Sequence, residues 1–516
     1  MAEPAAPAKQ TRLDRLLGLV ERAGNRLPEP FLLFALLLAA VAVVSTVVAA
    51  FGVSVRIPGA EQDTPVRAAL SGEGLEFLLT ELPENFIGFP PMRTVLTIML
   101  GVGLAERAGL LTALIRASFG GAPRWVLPYA VGFVGITSSV MADSSMIIIP
   151  PLAALVFKAA GRHPVAGLLG GFAAAGAGYS TAPVVTSLDA LFSGISNEVA
   201  AILPDPGTAV TPVSNYYFNA VSSVVLALLA GFLIDRVIEP RLVRGGVPRE
   251  SAIEDEAPPE VALSAAERRG LRWAGLAGVA LLAGVLALVL WPDSPLRNDD
   301  GGFLPESPLL DSVTTLIFLG FAVPGIAFGV PTGTVARAAD VPRLMTAALR
   351  DLTGFLVLAF VLGQFIALFN WTNLGAALAV GGADLLRALG LAGYPAFLGF
   401  VLLASVLNLF IISGSSLWTL LASVFVPMFA LLGFEPGFAQ AAFRVGDSAT
   451  QIMTPLNPYL IVVLGYLRRY EPQAGLGTLV ARMAPFVIPF WLLWVLVLSL
   501  FYFADLPLGP GMGIHR

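Results

Sequence analysis

The sequence predicts an all-α polytopic membrane protein, with about nine transmembrane helices and two re-entrant hairpins in an inverted-topology repeat. Three observations carry this prediction: the composition, the lengths of the apolar runs and one pattern that occurs twice. Of 516 residues, 56% are hydrophobic and 13% charged, against roughly 25% charged in a soluble domain. Runs such as Pro30 to Phe51 and Leu271 to Trp291 reach the roughly 20 residues that span a bilayer. The formal charge of −5 offers no basic field, so nucleic-acid partners are not expected. With no cysteine and only His163 and His515 as histidines, thiolate chemistry, disulfides and a histidine metal centre are excluded. No cofactor is expected.

The first thirty residues, with Arg12, Arg15, Arg22 and Arg26 among leucines, read as a cytoplasmic amphipathic segment rather than a signal peptide. The first transmembrane half then covers residues 31–234. Its first span, about 31–51, leads to a loop holding six carboxylates and only Arg56 and Arg67. By the positive-inside rule that loop faces outward. A second span, about 92–106, returns the chain to Arg107, Arg116 and Arg124, which belong in the cytoplasm. Residues 235–272 form a cytoplasmic linker carrying seven arginines, with an acidic, proline-bearing middle from Glu250 to Glu260. The second transmembrane half covers 273–516, and Arg468, Arg469 and Arg482 return to the cytoplasm before the last span.

Two regions are not simple spans. Trp125 to Ile136 and Met146 to Phe157 are about a dozen residues each, too short to cross, and a polar tip from Thr137 to Ser145 separates them. A re-entrant hairpin over about 125–160 satisfies this pattern. A second hairpin covers about 394–432, with the tip Ser413-Gly414-Ser415-Ser416. Irregular backbone at membrane depth is tolerated only where protein or a water-filled cavity satisfies its amides, so each tip predicts a cavity. Ser138-Ser139 and Pro150 to Leu155 align with Ser415-Ser416 and Pro427 to Leu432 at one offset of 277 residues. Each hairpin is followed by an interrupted apolar stretch, broken near Ser180 to Pro183 and near Thr454-Pro455. Counting spans from a cytoplasmic N-terminus opens the two hairpins to opposite sides. Paired, inverted, broken helices are the architecture of secondary transporters, in which half-helix ends offer amides to anions and carbonyls to sodium.

The candidate site residues are the polar groups beside these breaks. Charge inside a span costs about 2.5–3.5 kcal/mol on insertion scales, so Arg444 and Asp447, one helical turn apart, need a reason. Two readings are open: a structural ion pair, or Arg444 meeting an anionic substrate while Asp447 binds sodium or a proton. Asp189 and Asp143 are further candidates for cation coupling, against a loop carboxylate and a helix cap respectively. Asn408 offers an amide oxygen to sodium, or an interhelical hydrogen bond. Ser138, Ser139, Ser415 and Ser416 either cap their helices or bind ligand through the same exposed amides. Trp418, just past the second tip, is core or a platform for an aromatic ring. An intramembrane aspartyl protease also uses two aspartates, but its usual Gly-x-Gly-Asp motif is absent, because Arg444-Val445-Gly446 precedes Asp447.

Ser415, Trp418, Pro436, Arg444, Asp447 and Pro455 in this order, with Asp189 upstream, resemble the transport residues of the AbgT family of p-aminobenzoyl-glutamate transporters. That family sits with the dicarboxylate/sodium symporters in the ion transporter superfamily, and the resemblance covers almost the whole chain. Asn408 with Asp447 resembles its sodium-binding neighbourhood. The Ser-Ser tips look like counterparts of the Ser-Asn-Thr tips of the dicarboxylate relatives, with serine in place of asparagine, which argues against a plain dicarboxylate carrier. The resemblance implies a homodimer in a bacterial inner membrane, with a scaffold and a transport core in each protomer. It implies transport of p-aminobenzoyl-glutamate or sulfonamide antimetabolites, small anionic aromatic compounds, driven by sodium or protons. On this reading Pro436 and Pro455 belong to the substrate site. The nearest rival is a sodium-coupled dicarboxylate carrier.

Overall fold

The computed structural model describes residues 28–56, 63–119, 123–141, 144–250, 262–304 and 307–516. The expectations for the N-terminal amphipathic segment, for Asp143 and for the acidic middle of the linker fall outside them. Within the described residues the chain is almost wholly helical, with one two-stranded ribbon, Ser54–Val55 against Thr64–Pro65. Among these residues seven helices are long and apolar enough to cross a membrane, or eight if the bent pair Pro90–Arg107 and Leu110–Phe119 is one span. That pair bends by 59° at Gly109, whose φ of +91° is open to glycine alone among ordinary residues.

The long helices Pro30–Ala50, Ala265–Leu290 and Val313–Thr332 lie at the periphery. Leu276, Val279, Leu282 and Leu286 on the second of these are exposed, an apolar face of the kind that contacts lipid. The short helices occupy the centre. Pro164–Ala177 is buried at all its positions and Pro436–Ser448 likewise. A helix of 14 residues is about 21 Å long, short of the roughly 30 Å hydrocarbon core, so such helices need partners that satisfy their ends. Pro164–Ala177 is continued by Ser187–Ala200, and Pro436–Ser448 by Pro458–Tyr470; each pair is one span interrupted by an unwound link. Two further pairs precede them, Leu127–Thr137 with Ser144–Ala159 and Tyr394–Asn408 with Gly414–Leu431, at the positions expected for the hairpins.

The helix boundaries correct the internal register. The second hairpin helices start at Ser144 and Gly414, the first half-helices at Pro164 and Pro436, and the second half-helices at Ser187 and Pro458. These starts lie 270–272 residues apart, not 277. Ser415-Ser416 therefore correspond to Ser144-Ser145, which open a helix as they do, whereas Ser138-Ser139 sit on the 3-10 turn ending the preceding helix. The Ser-Ser pair occurs twice at the first tip, six residues apart, and the sequence match took the wrong copy.

The linker is shorter than 235–272. Helical structure continues from Tyr216 through a π-turn at Leu233–Ile238 to Arg244, and resumes at Ala265. Charged residues extend these helices because the ends of a span project into headgroups and water, where charge carries little cost. Ser264 and Glu267 form a capping box there. Two helices absent from the apolar-run reading, Asp340–Asp351 and Leu374–Ala388, flank the helix Thr353–Trp371. At the other end of the chain, residues 506–516 form a strap over the second hairpin. Leu508, Met512 and Ile514 are buried, Glu435 N donates to Ile514 O at 2.9 Å and Arg516 N to Gly433 O at 3.0 Å.

Candidate functional site

The first unwound link runs from Gly178 to Thr186. Glycines end its helix, Ser180 takes a left-handed φ of +58° while fully buried, and Pro183 prevents helix from resuming at once. Thr186 then caps the second half-helix: its backbone N–H and Oγ1 donate to Asp189 Oδ2 at 2.7 and 2.8 Å. The second link, residues 449–457, carries Pro455 and ends where Asn457 Oδ1 accepts from Tyr459 N at 2.9 Å, with Pro458 in the first turn.

Arg444 joins the two broken spans. Its guanidinium is completely buried, donates from Nη2 to Asp189 Oδ1 at 2.7 Å and from Nη1 to the Ser180 carbonyl, and lies 5.2 Å from the Phe192 ring centroid. Asp189 also accepts from Asn219 Nδ2 at 3.0 Å. The ion-pair reading of Arg444 is thus revised in its partner. Its ion-pair partner is Asp189 across the molecule rather than Asp447 one turn along, and it lies outside the linings of the two cavities at the hairpin tips.

Asp447 is buried beside the second hairpin tip. Its carboxylate interacts electrostatically with Arg444 one turn along, whose direct ion pair is with Asp189. A Cβ placed on Gly414 would come within 2.9 Å of its Oδ2, so a side chain here would displace the carboxylate, which faces the start of the helix Gly414–Leu431, where the macrodipole favours a negative charge. Asn408, ending the first hairpin helix, donates from Nδ2 to the Asp447 carbonyl and to Thr450 Oγ1 at 3.1 Å. Its Oδ1 is buried without a partner. The Asp447 carboxylate and the unpartnered Asn408 amide oxygen lie on adjoining elements, and both are hard oxygen donors of the kind an alkali cation takes. Among the described residues no cluster of three or more His, Cys, Asp or Glu is present.

A cavity of about 570 Å³ opens at the second tip. Ser413, Gly414 and Ser415 of the hairpin, Tyr179 of the first link, and Gln451 and Leu456 of the second line it, with Phe355, Phe410 and Tyr459 as an aromatic wall. Ser413 caps the hairpin helix, accepting from Ser416 N at 3.4 Å and Ser416 Oγ at 3.0 Å. A second cavity of about 540 Å³ lies at the first tip, lined by Thr137, Ser138, Val184 and Val185 among mainly apolar groups. Allowing for the register of 270–272, Val184 corresponds to Leu456, so the two cavities occupy related places in the two halves.

Among the sequence candidates, Ser415 and Ser138 thus reach a cavity wall, and Asp447 and Asn408 lie behind one. Ser139 is fully buried and donates to Ile136 O at 2.7 Å. Pro436 opens its half-helix, about 12 Å along the axis from Arg444 at 1.5 Å per residue, and Pro455 lies in the second link; neither is in the lining of the two tip cavities. Trp418 has no exposed surface, packs 4.7 Å from the Phe443 ring and donates from Nε1 to Phe192 O at 3.2 Å. It anchors the hairpin helix to the half-helices that carry Phe443 and Phe192 and offers no face to a ligand here. Tyr179 and Gln451, which do line the cavity, were missed; their positions next to the breaks were the available signal.

The family described as the AbgT putative transporter family matches residues 15–516. The chain is 40% identical over 498 residues to the p-aminobenzoyl-glutamate transport protein of Escherichia coli strain K12, covering 96% of each. The structure of the Alcanivorax borkumensis YdaH transporter, 36% identical, superposes with a TM-score of 0.87 over 94% of this chain and 100% of that one. Neisseria gonorrhoeae MtrF, described within a class of antimetabolite efflux pumps, is 37% identical and gives 0.89 over 96% and 99%.

Proposed function

The chain belongs to the AbgT transporter family, and we propose that it is a secondary active transporter of p-aminobenzoyl-glutamate and related aminobenzoate or sulfonamide compounds, coupled to sodium or protons. The observation that carries this is the cavity at the second hairpin tip. Its walls combine aromatic side chains, which suit an aminobenzoyl ring, with the capped start of the hairpin helix, which suits a carboxylate. The 40% identical relative is named for this substrate, and the relation of this chain to an antimetabolite efflux pump supports the sulfonamide extension.

Two half-helix pairs related by one register, each with a cavity at its tip, support alternating access by an inverted repeat. On this reading Asn408 Oδ1 and the Asp447 carboxylate hold the coupling cation, behind the cavity wall and against Gly414. Cation binding there draws the hairpin tip, Asn408 and the second half-helix together, and so favours one access state. The buried Arg444–Asp189 pair ties the two broken spans into one body that moves as a unit. The protein lies in a bacterial inner membrane with a cytoplasmic N-terminus, as the arginine-rich loops indicate, and forms a homodimer.

Radiolabelled uptake into proteoliposomes tests the substrate reading. Saturable uptake of p-aminobenzoyl-glutamate in preference to succinate is expected; preference for succinate would instead identify a dicarboxylate carrier.

A further inference from the structure

Gln451 stands in the cavity wall on the second unwound link and is 4% exposed, and its Oε1 is buried with no hydrogen-bond partner. Two other buried glutamines have both ends of the amide paired. Gln364 donates from Nε2 to Leu82 O at 2.8 Å and accepts from Asn85 Nδ2 at 3.1 Å. Gln440 is bonded to Asn215 at 2.9 Å and Ser196 at 2.7 Å. An unpaired amide oxygen in a dry site is destabilising, and the cost is avoided if a ligand supplies the missing partner. The backbone of Gln451 is fixed independently, since its carbonyl accepts from Asn457 Nδ2 at 3.1 Å, so the side chain is free of the duty of holding the link.

The position is also defined by the repeat. Gln451 lies 272 residues from Tyr179, matching the spacing of Pro164 and Pro436 that open the two half-helices. Equivalent places in the two links thus present a phenol ring and a carboxamide to one cavity. A ligand that satisfies both carries an aromatic ring next to a group that pairs with an amide.

We propose that Gln451 is a specificity-determining residue that hydrogen-bonds the secondary amide joining the aromatic ring to the amino acid of the substrate, its Oε1 accepting from the amide N–H. This rests on the substrate reading above. A carboxamide and a secondary amide are complementary: the carboxamide oxygen accepts from the single amide N–H, and its NH2 can donate to the amide carbonyl. A site built to bond a substrate N–H rejects the analogue lacking it, because the site's polar group is then left unpaired. Gln451 therefore separates ring–amide conjugates from compounds in which that N–H is missing.

The test compares p-aminobenzoyl-glutamate with its ester analogue, in which oxygen replaces the amide N–H, by calorimetric Kd on the purified full-length protein. The unaltered protein is expected to favour the amide by about tenfold or more. Gln451→Met, which keeps the side-chain length, should weaken the amide alone and bring the two Kd values to within about twofold, while an unchanged ester Kd reports an intact site. Gln451→Leu serves as a second variant with a different packing shape and should do the same. Equal affinities in the unaltered protein, or a preference that survives both substitutions, would overturn the proposal. So would equal weakening of both compounds by both variants. Failure of the substrate reading itself looks different: the unaltered protein then binds neither compound.

Discussion

Replacing Asp189 with asparagine removes one charge and almost no volume. In the folded protein that charge faces Arg444, which is completely buried and has no hydrogen-bond partner at Nε. The introduced carboxamide would still accept from Thr186 or Asn219, but the guanidinium would keep a full charge in a dry core, held by the Ser180 carbonyl and by the more distant Asp447. Breaking a buried pair from one side costs about 3–5 kcal/mol, because the surviving charge is uncompensated. Arg444→Met should cost a similar amount by stranding Asp189, which retains its bonds from Thr186 and Asn219. The double variant leaves neither charge, so it should be more stable than the sum of the single effects implies, by about 2–3 kcal/mol of coupling. Unfolding free energies from titration in mixed micelles give all three numbers. Effects that add to within about 0.5 kcal/mol, or a cost for Asp189→Asn below about 1 kcal/mol, would refute the claim that this pair locks the two broken spans together.

Other perturbations separate binding roles from packing roles. Trp418→Ala empties a fully buried site beneath the second hairpin and should cost about 3–5 kcal/mol of stability, while substrate Kd in the folded fraction changes by less than about tenfold; calorimetry and thermal unfolding together show which. Gly414→Ala brings a methyl group to 2.9 Å from Asp447 Oδ2 and should raise the half-saturating cation concentration by about tenfold without lowering the unfolding temperature, read from flux against cation concentration. Met512→Ala removes a buried anchor of the C-terminal strap, packed against Gly437, and should destabilise the protein by about 2–5 kcal/mol in the same thermal assay.

Much of the architecture is legible along the chain because a bilayer imposes length. A dozen apolar residues cannot cross it, so the short runs around 125–160 declare themselves as paired half-helices, the polar tip Ser413 to Ser416 divides the run over 394–432, and glycine and proline at Gly178 to Pro183 and at Pro455 mark where helix must stop. The side-chain partnerships are legible only in part. Arg444 and Asp447 share a helix face, and spacing alone suggests that they pair. The long guanidinium instead reaches a different broken span, where a left-handed Ser180 presents its carbonyl and Thr186 holds Asp189 in place. The repeat register failed for a related reason: Ser-Ser is a short pattern, and only the helix starts show which copy opens a helix. Trp418 follows the tip in sequence but turns inward to Phe443 and Phe192. The strap at residues 506–516 has little apolar length to announce it, because much of its hold is through backbone hydrogen bonds.

The central claim is that cation binding at Asp447 and Asn408 drives movement of an anionic aromatic substrate through the cavity at the second hairpin tip. Flux of p-aminobenzoyl-glutamate in proteoliposomes, with sodium and proton gradients imposed separately on the unaltered protein and on Asp447→Asn, tests it most directly. Saturable flux that follows one of the two gradients, and loses that dependence in the variant, is the predicted result. Flux that neither saturates nor responds to either gradient, or a response unchanged in Asp447→Asn, would contradict it.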